Sequence, residues 1–461
     1  MSPPTVTPHG ATPPGRCPVT HGSRPDSEKV FALYSPEFAM DPHAIYVEMR
    51  RSSCDFVPVE LAPGVPATLV IGYYAALRIL YDDANFRADP REWQQTIPLD
   101  CPVLPMLEHR PNALRSDLKD HERYRSPTVA ALRAVDRRAL HTVVAEIGEQ
   151  LIAEFSSRGT TDFSSRGTAN LITDYALPLA FETINAMLGC PAEVGVDLAR
   201  GFELMFDATA GSEAVNTILD EAFAALIALK RQQPAKDVTT TLMAHAVGMT
   251  NYEISQQLLT MYAAAIEPLQ NLIANTVFLM VTDRRFEGDV VGGALSTRDA
   301  LDEVLYRDPP LANLCVRYPR QPIVINDYML PARKPVVIGM AAASTDPRVT
   351  RKPDNSGYVD FSRSSAHLAF SAGPHVCPAR EIAYQIAEDA IDQLLDWLPE
   401  LELDCRVQDL RWRPGPFHRA IAQLPVAFPT RLRRPPREPA APLLLSHARG
   451  TGPTGPVSSM R

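Results

Sequence analysis

The sequence predicts a mainly α-helical protein with small β-sheets, and three observations carry that reading. Apolar residues recur at helical spacing over long stretches, of which Ile254–Met280 and Glu381–Leu398 are the clearest. Strand-like runs are short and scattered. Between Glu28 and about Phe428 there is no domain-scale repeat and no Gly/Ser linker long enough to separate domains, so residues 28–430 of the 461 read as one domain.

In chain order, Asp41–Arg51 reads as a short amphipathic helix, Ala67–Ile71 as a strand and Tyr74–Leu80 as a second helix. Ser126–Phe155 and Glu203–Lys230 continue the helical pattern. Between them Phe155-Ser-Ser-Arg-Gly-Thr160 recurs as Phe163-Ser-Ser-Arg-Gly-Thr168, which reads as a lengthened surface loop. Ile254–Met280 is long enough for a membrane span, but it carries Glu267 and the amides of Gln256, Gln257, Gln270, Asn271 and Asn275. It is expected to be a buried central helix. Pro268, in its middle, has no N–H for the Ala264 carbonyl and clashes with that turn, so a kink is expected, or else a break into two packed helices. Strand-like pieces around Pro331, within Ile323–Met340, and the run Pro425–Pro429 close the core.

Of 43 prolines, 13 fall within Met1–Pro25 and Pro435–Arg461, so residues 1–27 and the Arg/Pro-rich 431–461 are expected to be disordered tails. The formal net charge of -9 offers no basic face for nucleic acid or an anionic membrane, and neither is an expected partner. The first residues lack the basic and apolar regions of a secretory signal, which makes the cytoplasm the expected location. Seven cysteines (Cys17, Cys54, Cys101, Cys190, Cys315, Cys377 and Cys405) are too few and too scattered for a disulfide scaffold or a zinc module.

One cysteine stands out by its surroundings. The run Phe370-Ser-Ala-Gly-Pro-His-Val-Cys377-Pro-Ala379 joins a turning segment to the helix Glu381–Leu398. Pro378 fits a first helical turn, which places Cys377 near a helix N-terminus, where free N–H groups favour a thiolate. The pattern Phe-x-x-Gly-x-His-x-Cys resembles the haem-binding loop of the cytochrome P450 family. Further pieces match: Ser35-Pro-Glu-Phe38, Asp41-Pro-His43, Asp120-His-Glu-Arg-Tyr-Arg125, Asp346-Pro347 and His367-Leu-Ala-Phe370, over roughly Phe31 to Phe428. The resemblance implies the cytochrome P450 fold, haem b as cofactor and Cys377 as axial ligand of its iron. It also implies that His121, Arg125, Arg317 and His375 meet the propionates. His121 and Arg125, four residues apart, share a helical face. The stretch from Ala88 to Leu107, with Trp93, Gln94 and Gln95, becomes a mobile access loop.

Four departures from the family pattern are visible. Ser371 and Ala379 replace the flanking glycines of the cysteine loop. The family's Glu-x-x-Arg is matched by Glu303 and Tyr306, with Arg307 one residue late and about 100 degrees around the helix. The reading taken is that the Tyr306 hydroxyl supplies a substitute bond, with Arg307 reaching back as the alternative. If the site merely lost its partner, Tyr306→Arg raises haem retention; unchanged or poorer retention would show that the rest of the core has adapted. In the central helix Ala264, Ala265, Ile266, Glu267 and Pro268 match small-Gly-x-acid-Thr, so the acid is kept and the alcohol lost. Glu267, a water on the Ala264 carbonyl and the Pro268 turn form the candidate proton path; alternatively Glu267 only pairs with another element. Met261, Ala264, Ala265 and Pro268 are expected to line the substrate pocket.

The resemblance implies a haem-thiolate monooxygenase that uses oxygen and electrons from ferredoxin and ferredoxin reductase. It would hydroxylate or oxidatively couple a small organic substrate of secondary metabolism. Peroxide-dependent or other haem-thiolate chemistry, or a binding protein that lost turnover, are the rival readings.

Overall fold

Prolines open the first helices of the structure, a computed structural model that describes residues 29–53, 55–158, 166–206, 212–286, 295–350 and 366–429. After β1 (Phe31–Ala32), Ser35 caps α1 (Pro36–Met40) by accepting from the Phe38 N–H, and Asp41 caps α2 (Pro42–Ser52) by accepting from that of Ala44. Proline suits both starts, because first-turn N–H groups have no intrahelical acceptor. Then come β2 (Phe56–Ala62), β3 (Val65–Val70), α3 (Tyr73–Tyr81), β4 (Phe86–Arg87), α4 (Arg91–Gln94), α5 (Leu104–Leu107), α6 (Leu118–Arg133), α7 (Arg137–Arg158) and β5 (Arg166–Asn170). A π-helical turn leads into α8 (Leu177–Leu188), followed by α9 (Ala192–Phe206), α10 (Ser212–Gln232), α11 (Val238–Met243), α12 (Asn251–Thr282) and α13 (Thr297–Arg307). The C-terminal portion holds β6 (Asn313–Pro319), β7 (Ile323–Ile325), β8 (Tyr328–Leu330), β9 (Val336–Gly339), α14 (Met340–Ser344), α15 (Arg380–Trp397), β10 (Glu402–Leu403) and β11 (Pro425–Pro429).

Most expected segments are present with boundaries moved by a few residues, but the helical stretch Ser126–Phe155 divides between α6 and α7, and Glu203–Lys230 takes in the end of α9 and most of α10. The strands gather into a six-stranded mixed sheet of order β1-β2-β3-β9-β6-β4, a three-stranded antiparallel sheet β10-β11-β5 and the hairpin β7-β8. Both expected tails lie outside the described residues. The duplicated unit is not simply a loop. Its first copy begins in the last turn of α7, and Arg166–Thr168 of the second enter β5, where Thr168 pairs with Ala427. The residues between them lie outside the described ones. The stretch 88–107 is also better anchored than a free loop: Trp93, Cys101, Val103, Leu104 and Leu107 are buried against the six-stranded sheet.

α12 has the length and composition to cross a membrane, yet it is the central helix of the core. Leu258, Tyr262 and Ile266 pack with α8, α9 and α10, while Leu269, Ile273 and Val277 pack with α7, α13 and α15. Two of its amides tie it to distant segments: Gln257 donates to the Pro111 carbonyl at 2.9 Å and Asn275 to the Arg419 carbonyl at 2.9 Å. α12 continues through Pro268 instead of breaking. A mid-helix proline costs about 3 kcal/mol, and burying Leu269, Leu272 and Ile273 returns about 2 kcal/mol each. Packing therefore outweighs the lost hydrogen bond.

Candidate active site

Cys377 lies in the turn before α15, its N–H donating to the Phe370 carbonyl at 2.8 Å. The loop between them tightens into a 3₁₀ turn at Gly373–His375. Gly373 has φ +70°, and a Cβ there would overlap the Leu80 carbonyl oxygen, so glycine is required twice over. Ser371 holds φ +62°, a left-handed conformation that its Cβ disfavours by about 1 kcal/mol. Ala379, by contrast, has φ -100° and needs no glycine. It is the N-cap of α15, so Pro378 precedes the helix rather than occupying its first turn as expected. Burial pushes the Cys377 thiol up, against the opposing pull of the Ala379 N–H and of Arg125. In the bare protein burial outweighs the helix-end effect expected from the sequence.

Cations converge opposite this loop. His121 on α6 packs on His375, ring centroids 4.0 Å apart and planes 36° apart. Arg125, one turn further along α6, donates to the Val376 carbonyl at 2.5 Å. Arg317 arrives from β6, whose register against β9 shifts between Leu314 and Arg317, with Cys315 at φ +50°. Such a bulge re-aims the side chain that follows it. Arg317 is buried and donates to its neighbour Val316's carbonyl at 3.1 Å, while its Nη2 and the Nε2 of His121 are buried without a partner. Burial, then Arg125 and Arg317, pushes His121 down to about 4; burial, then Arg317, His121 and Arg125, pushes His375 down to about 2. Burial keeps both imidazoles neutral, and the unpartnered Arg317 Nη2 and His121 Nε2 leave two donors that an anion would satisfy.

This is the test of whether the expected haem suits the chain. Two orphaned buried nitrogens and four converging cationic or imidazole groups would suit its two carboxylate arms, and Cys377 would offer the sulfur ligand. The residues fit. Arg115, which the sequence reading missed, is buried close to Arg317, donates to the Met106 carbonyl and has its charge disfavoured by burial. No spacing rule singles it out, because it comes from the irregular segment before α6. Arg123 goes elsewhere: it pairs with Glu253 of α12, which also accepts from the Tyr124 hydroxyl at 3.0 Å.

Across from the loop, α12 opens. Ala263 and Ala264 are exposed, and Thr260, Met261, Ala265, Glu267 and Pro268 partly so, although Tyr262 and Ile266 between them are buried. Small residues left uncovered in the middle of this core helix leave room beside it. Of the two sequence readings of Glu267, the ion pair is the one present: Glu267 accepts from Arg413. Arg413 is fixed by its own N–H donating to the Ala420 carbonyl at 2.8 Å, and the His418 Nε2 lies 3.2 Å from its carbonyl. Arg413 stands 146 residues from Glu267, and the sequence reading missed it.

Glu303 is buried, and its arginine partner comes from outside the expected four-residue pattern. Arg285, just beyond α12, donates from both terminal nitrogens to the carboxylate at 3.1 and 3.0 Å. Arg307 stays 3.9 Å away on the same helix. Tyr306 meets His367 edge-on, centroids 5.4 Å apart. Arg285 lies outside the Glu-x-x-x pattern and so is invisible to it.

No family model matches the chain. Among curated proteins it is 27% identical over 406 residues to the cytochrome P450 monooxygenase PikC of Streptomyces venezuelae, covering 85% of this chain and 92% of that protein. It is 25% identical over 419 residues to cytochrome P450 107B1 of Saccharopolyspora erythraea, covering 88% and 99%. Among solved structures, CYP154C4 from a Streptomyces superposes with a TM-score of 0.74 at 25% identity, covering 86% of this chain and 98% of that one. The myxobacterial CYP267B1 in complex with myristic acid gives a TM-score of 0.71 at 25% identity over the same shares.

Proposed function

We propose, from the premise that this chain is a member of the bacterial cytochrome P450 family, that it is a haem-thiolate monooxygenase acting on a small organic substrate of secondary metabolism. Haem b is the family's cofactor; when bound it supplies the oxygen activation and one-electron chemistry that side chains lack. The observation that carries the reading is the convergence of two arginines, Arg125 and Arg317, and two imidazoles, His121 and His375, with orphaned nitrogens, at the Cys377 loop.

Each residue has a role in this reading. The Cys377 sulfur is the metal ligand, its charge eased by the Ala379 N–H and by Arg125. His121, Arg125, Arg317 and His375 hold the carboxylate arms. Ala264, Ala263 and Met261 keep a wide, apolar wall against which substrate rests. Thr260 accepts from Asn112 at 2.7 Å, tying the segment before α6 to this wall. Glu267 moves a proton at its Oε1 only when Arg413 releases it, because a carboxylate held in an ion pair is a weak base. Pro268 leaves the Ala264 carbonyl without its helical N–H and so able to hold a water. Electrons come from a ferredoxin and its reductase, and the setting is cytoplasmic. The relatives' names, among them a vitamin D(3) 25-hydroxylase, a nocardicin C N-oxygenase and a 2-hydroxy-5-methyl-1-naphthoate 7-hydroxylase, support a small organic substrate and do not select one.

The Glu267–Arg413 pair, with proline in place of the alcohol, favours a second reading, in which peroxide replaces oxygen plus electrons and no proton relay along α12 is needed. The purified holoprotein decides. A thiolate-type carbon monoxide spectrum with product formed from ferredoxin, reductase and oxygen supports the first reading. Product from peroxide alone supports the second. A spectrum without the thiolate-type band defeats both.

A further inference from the structure

Behind the Cys377 loop, away from the open face of α12, runs a buried chain of three polar side chains. Asp302 comes from α13, Tyr384 from α15, and His367 from the segment that leads into the loop. The Tyr384 hydroxyl donates to Asp302 Oδ1 at 2.5 Å and lies 3.1 Å from His367 Nε2. Since the hydroxyl's single proton is committed to the carboxylate, the imidazole is the donor to the hydroxyl oxygen, and His367 carries its proton on Nε2. Arg298 caps the chain, its guanidinium 3.5 Å from the centre of the Tyr384 ring.

The chain reaches the loop through Phe370. That ring packs on His367 and on Tyr384, with centroids 5.9 and 5.6 Å apart. The carbonyl of the same residue accepts the Cys377 N–H at 2.8 Å. Two residues earlier, the Leu368 N–H ends on Ser344 Oγ at 2.9 Å and the Leu368 carbonyl accepts from the Ser371 N–H at 2.8 Å. A path of direct contacts therefore leads from Asp302 to the peptide group that fixes Cys377. The neighbouring acid, Glu303, turns instead to Arg285 beyond the end of α12.

We propose that Asp302, Tyr384 and His367 are positioning residues that set the geometry of the Cys377 loop. The task of bracing the core behind the loop is thus divided in this chain. Asp302, Tyr384 and His367 hold the loop through Phe370, while the Arg285–Glu303 pair ties α13 to the end of α12. The physical reason for the division is that Tyr306 cannot supply the cation and five donors of an arginine. Two adjacent acids on α13, Asp302 and Glu303, are consequently satisfied from different directions. The proposal rests on the haem-thiolate reading, and its test separates the two.

The test compares full-length holoprotein of the wild type with Tyr384→Phe, Asp302→Asn and Arg285→Gln. Two quantities are read: the share of thiolate-type against thiol-type carbon monoxide band, and the rate of haem loss to an excess of acceptor apoglobin. Tyr384→Phe removes a hydrogen bond to a buried carboxylate, a net loss of about 1.5 kcal/mol, which corresponds to about tenfold. Haem loss is expected to quicken about tenfold in Tyr384→Phe and in the same direction in Asp302→Asn, with a larger thiol-type share in both. Arg285→Gln is expected to lower the melting temperature and keep the thiolate-type band. The proposal is overturned if Tyr384→Phe and Asp302→Asn keep the wild-type band and rate, or if Arg285→Gln shows the same spectral change as they do. If Tyr384→Phe does not fold, the near-isosteric Asp302→Asn decides alone. A wild type without the thiolate-type band sinks the haem-thiolate reading instead.

Discussion

Arg285 holds Glu303 with two parallel hydrogen bonds of 3.1 and 3.0 Å, from 18 residues away in sequence and from outside the helix that carries the acid. Glu303 has a side chain only 3% exposed, and Arg285 is also held by Asp283 at 2.5 Å. A buried carboxylate with such a bidentate partner is already compensated.

Removing that partner is expected to be costly. Breaking a buried pair from one side destabilises by about 3–5 kcal/mol; with Arg285 partly exposed and Arg307 at 3.9 Å, about 2 kcal/mol is expected for Arg285→Gln by denaturant unfolding. The same geometry reverses the sequence expectation for Tyr306→Arg. Because Glu303 has its arginine, a guanidinium at 306 supplies no needed partner while the Tyr306 ring packed on His367 is lost, and the variant is expected to be less stable and to retain less haem. Equal or better retention would show that Arg285 does not satisfy Glu303.

Ser371→Gly should stabilise the chain. Ser371 stands at φ +62°, where glycine avoids a Cβ clash of about 1 kcal/mol, less the extra backbone entropy glycine loses on folding. The net gain expected in thermal unfolding of the apoprotein is a few tenths of a kcal/mol, at most about 0.5 kcal/mol. Gly373→Ala should do the opposite and prevent loop closure, given the overlap with the Leu80 carbonyl. A destabilised Ser371→Gly would mean that the serine side chain contributes more than its strain.

Acid should loosen α6 from α12 before it unfolds the whole chain. Arg123, and then the Thr250 N–H and the Tyr124 hydroxyl, hold Glu253 down to about 2 from an ordinary value of 4.5. The folded value is the lower one, so the stabilisation is fully present above pH 4.5 and fades as pH falls towards 2. Glu253→Gln is expected to remove about 2 kcal/mol at neutral pH and to flatten the acid limb of a stability–pH curve over that window. An unchanged acid limb would rule out Glu253 as the responsible group.

The cation cluster predicts a preference for the free acid of a porphyrin. Apoprotein should bind protoporphyrin IX more tightly than its dimethyl ester, and Arg317→Met should reduce that preference about tenfold, the worth of one charge-assisted hydrogen bond. Fluorescence quenching on titration measures both ligands without iron. Equal affinity for acid and ester would place the carboxylate arms elsewhere.

Much of this is legible in the sequence because it is local. The 3.6-residue period announces α12 and α15, the turn residues announce the cysteine loop, and four-residue spacing puts His121 and Arg125 on one face of α6. What escapes are partners brought in from a distance. Arg285, Arg413, Arg115 and the Asp302–Tyr384–His367 chain carry no spacing relative to the residues they touch.

By itself the sequence determined which elements form and where Cys377, the arginines and the imidazoles around it sit along the chain, since helix period, caps and turns act over a few residues. Only the tertiary structure decided which distant partners its acids find. Desolvating an ion costs so much that the fold selects whichever opposite charge the packing brings within reach: Arg285 for Glu303 and Arg413 for Glu267.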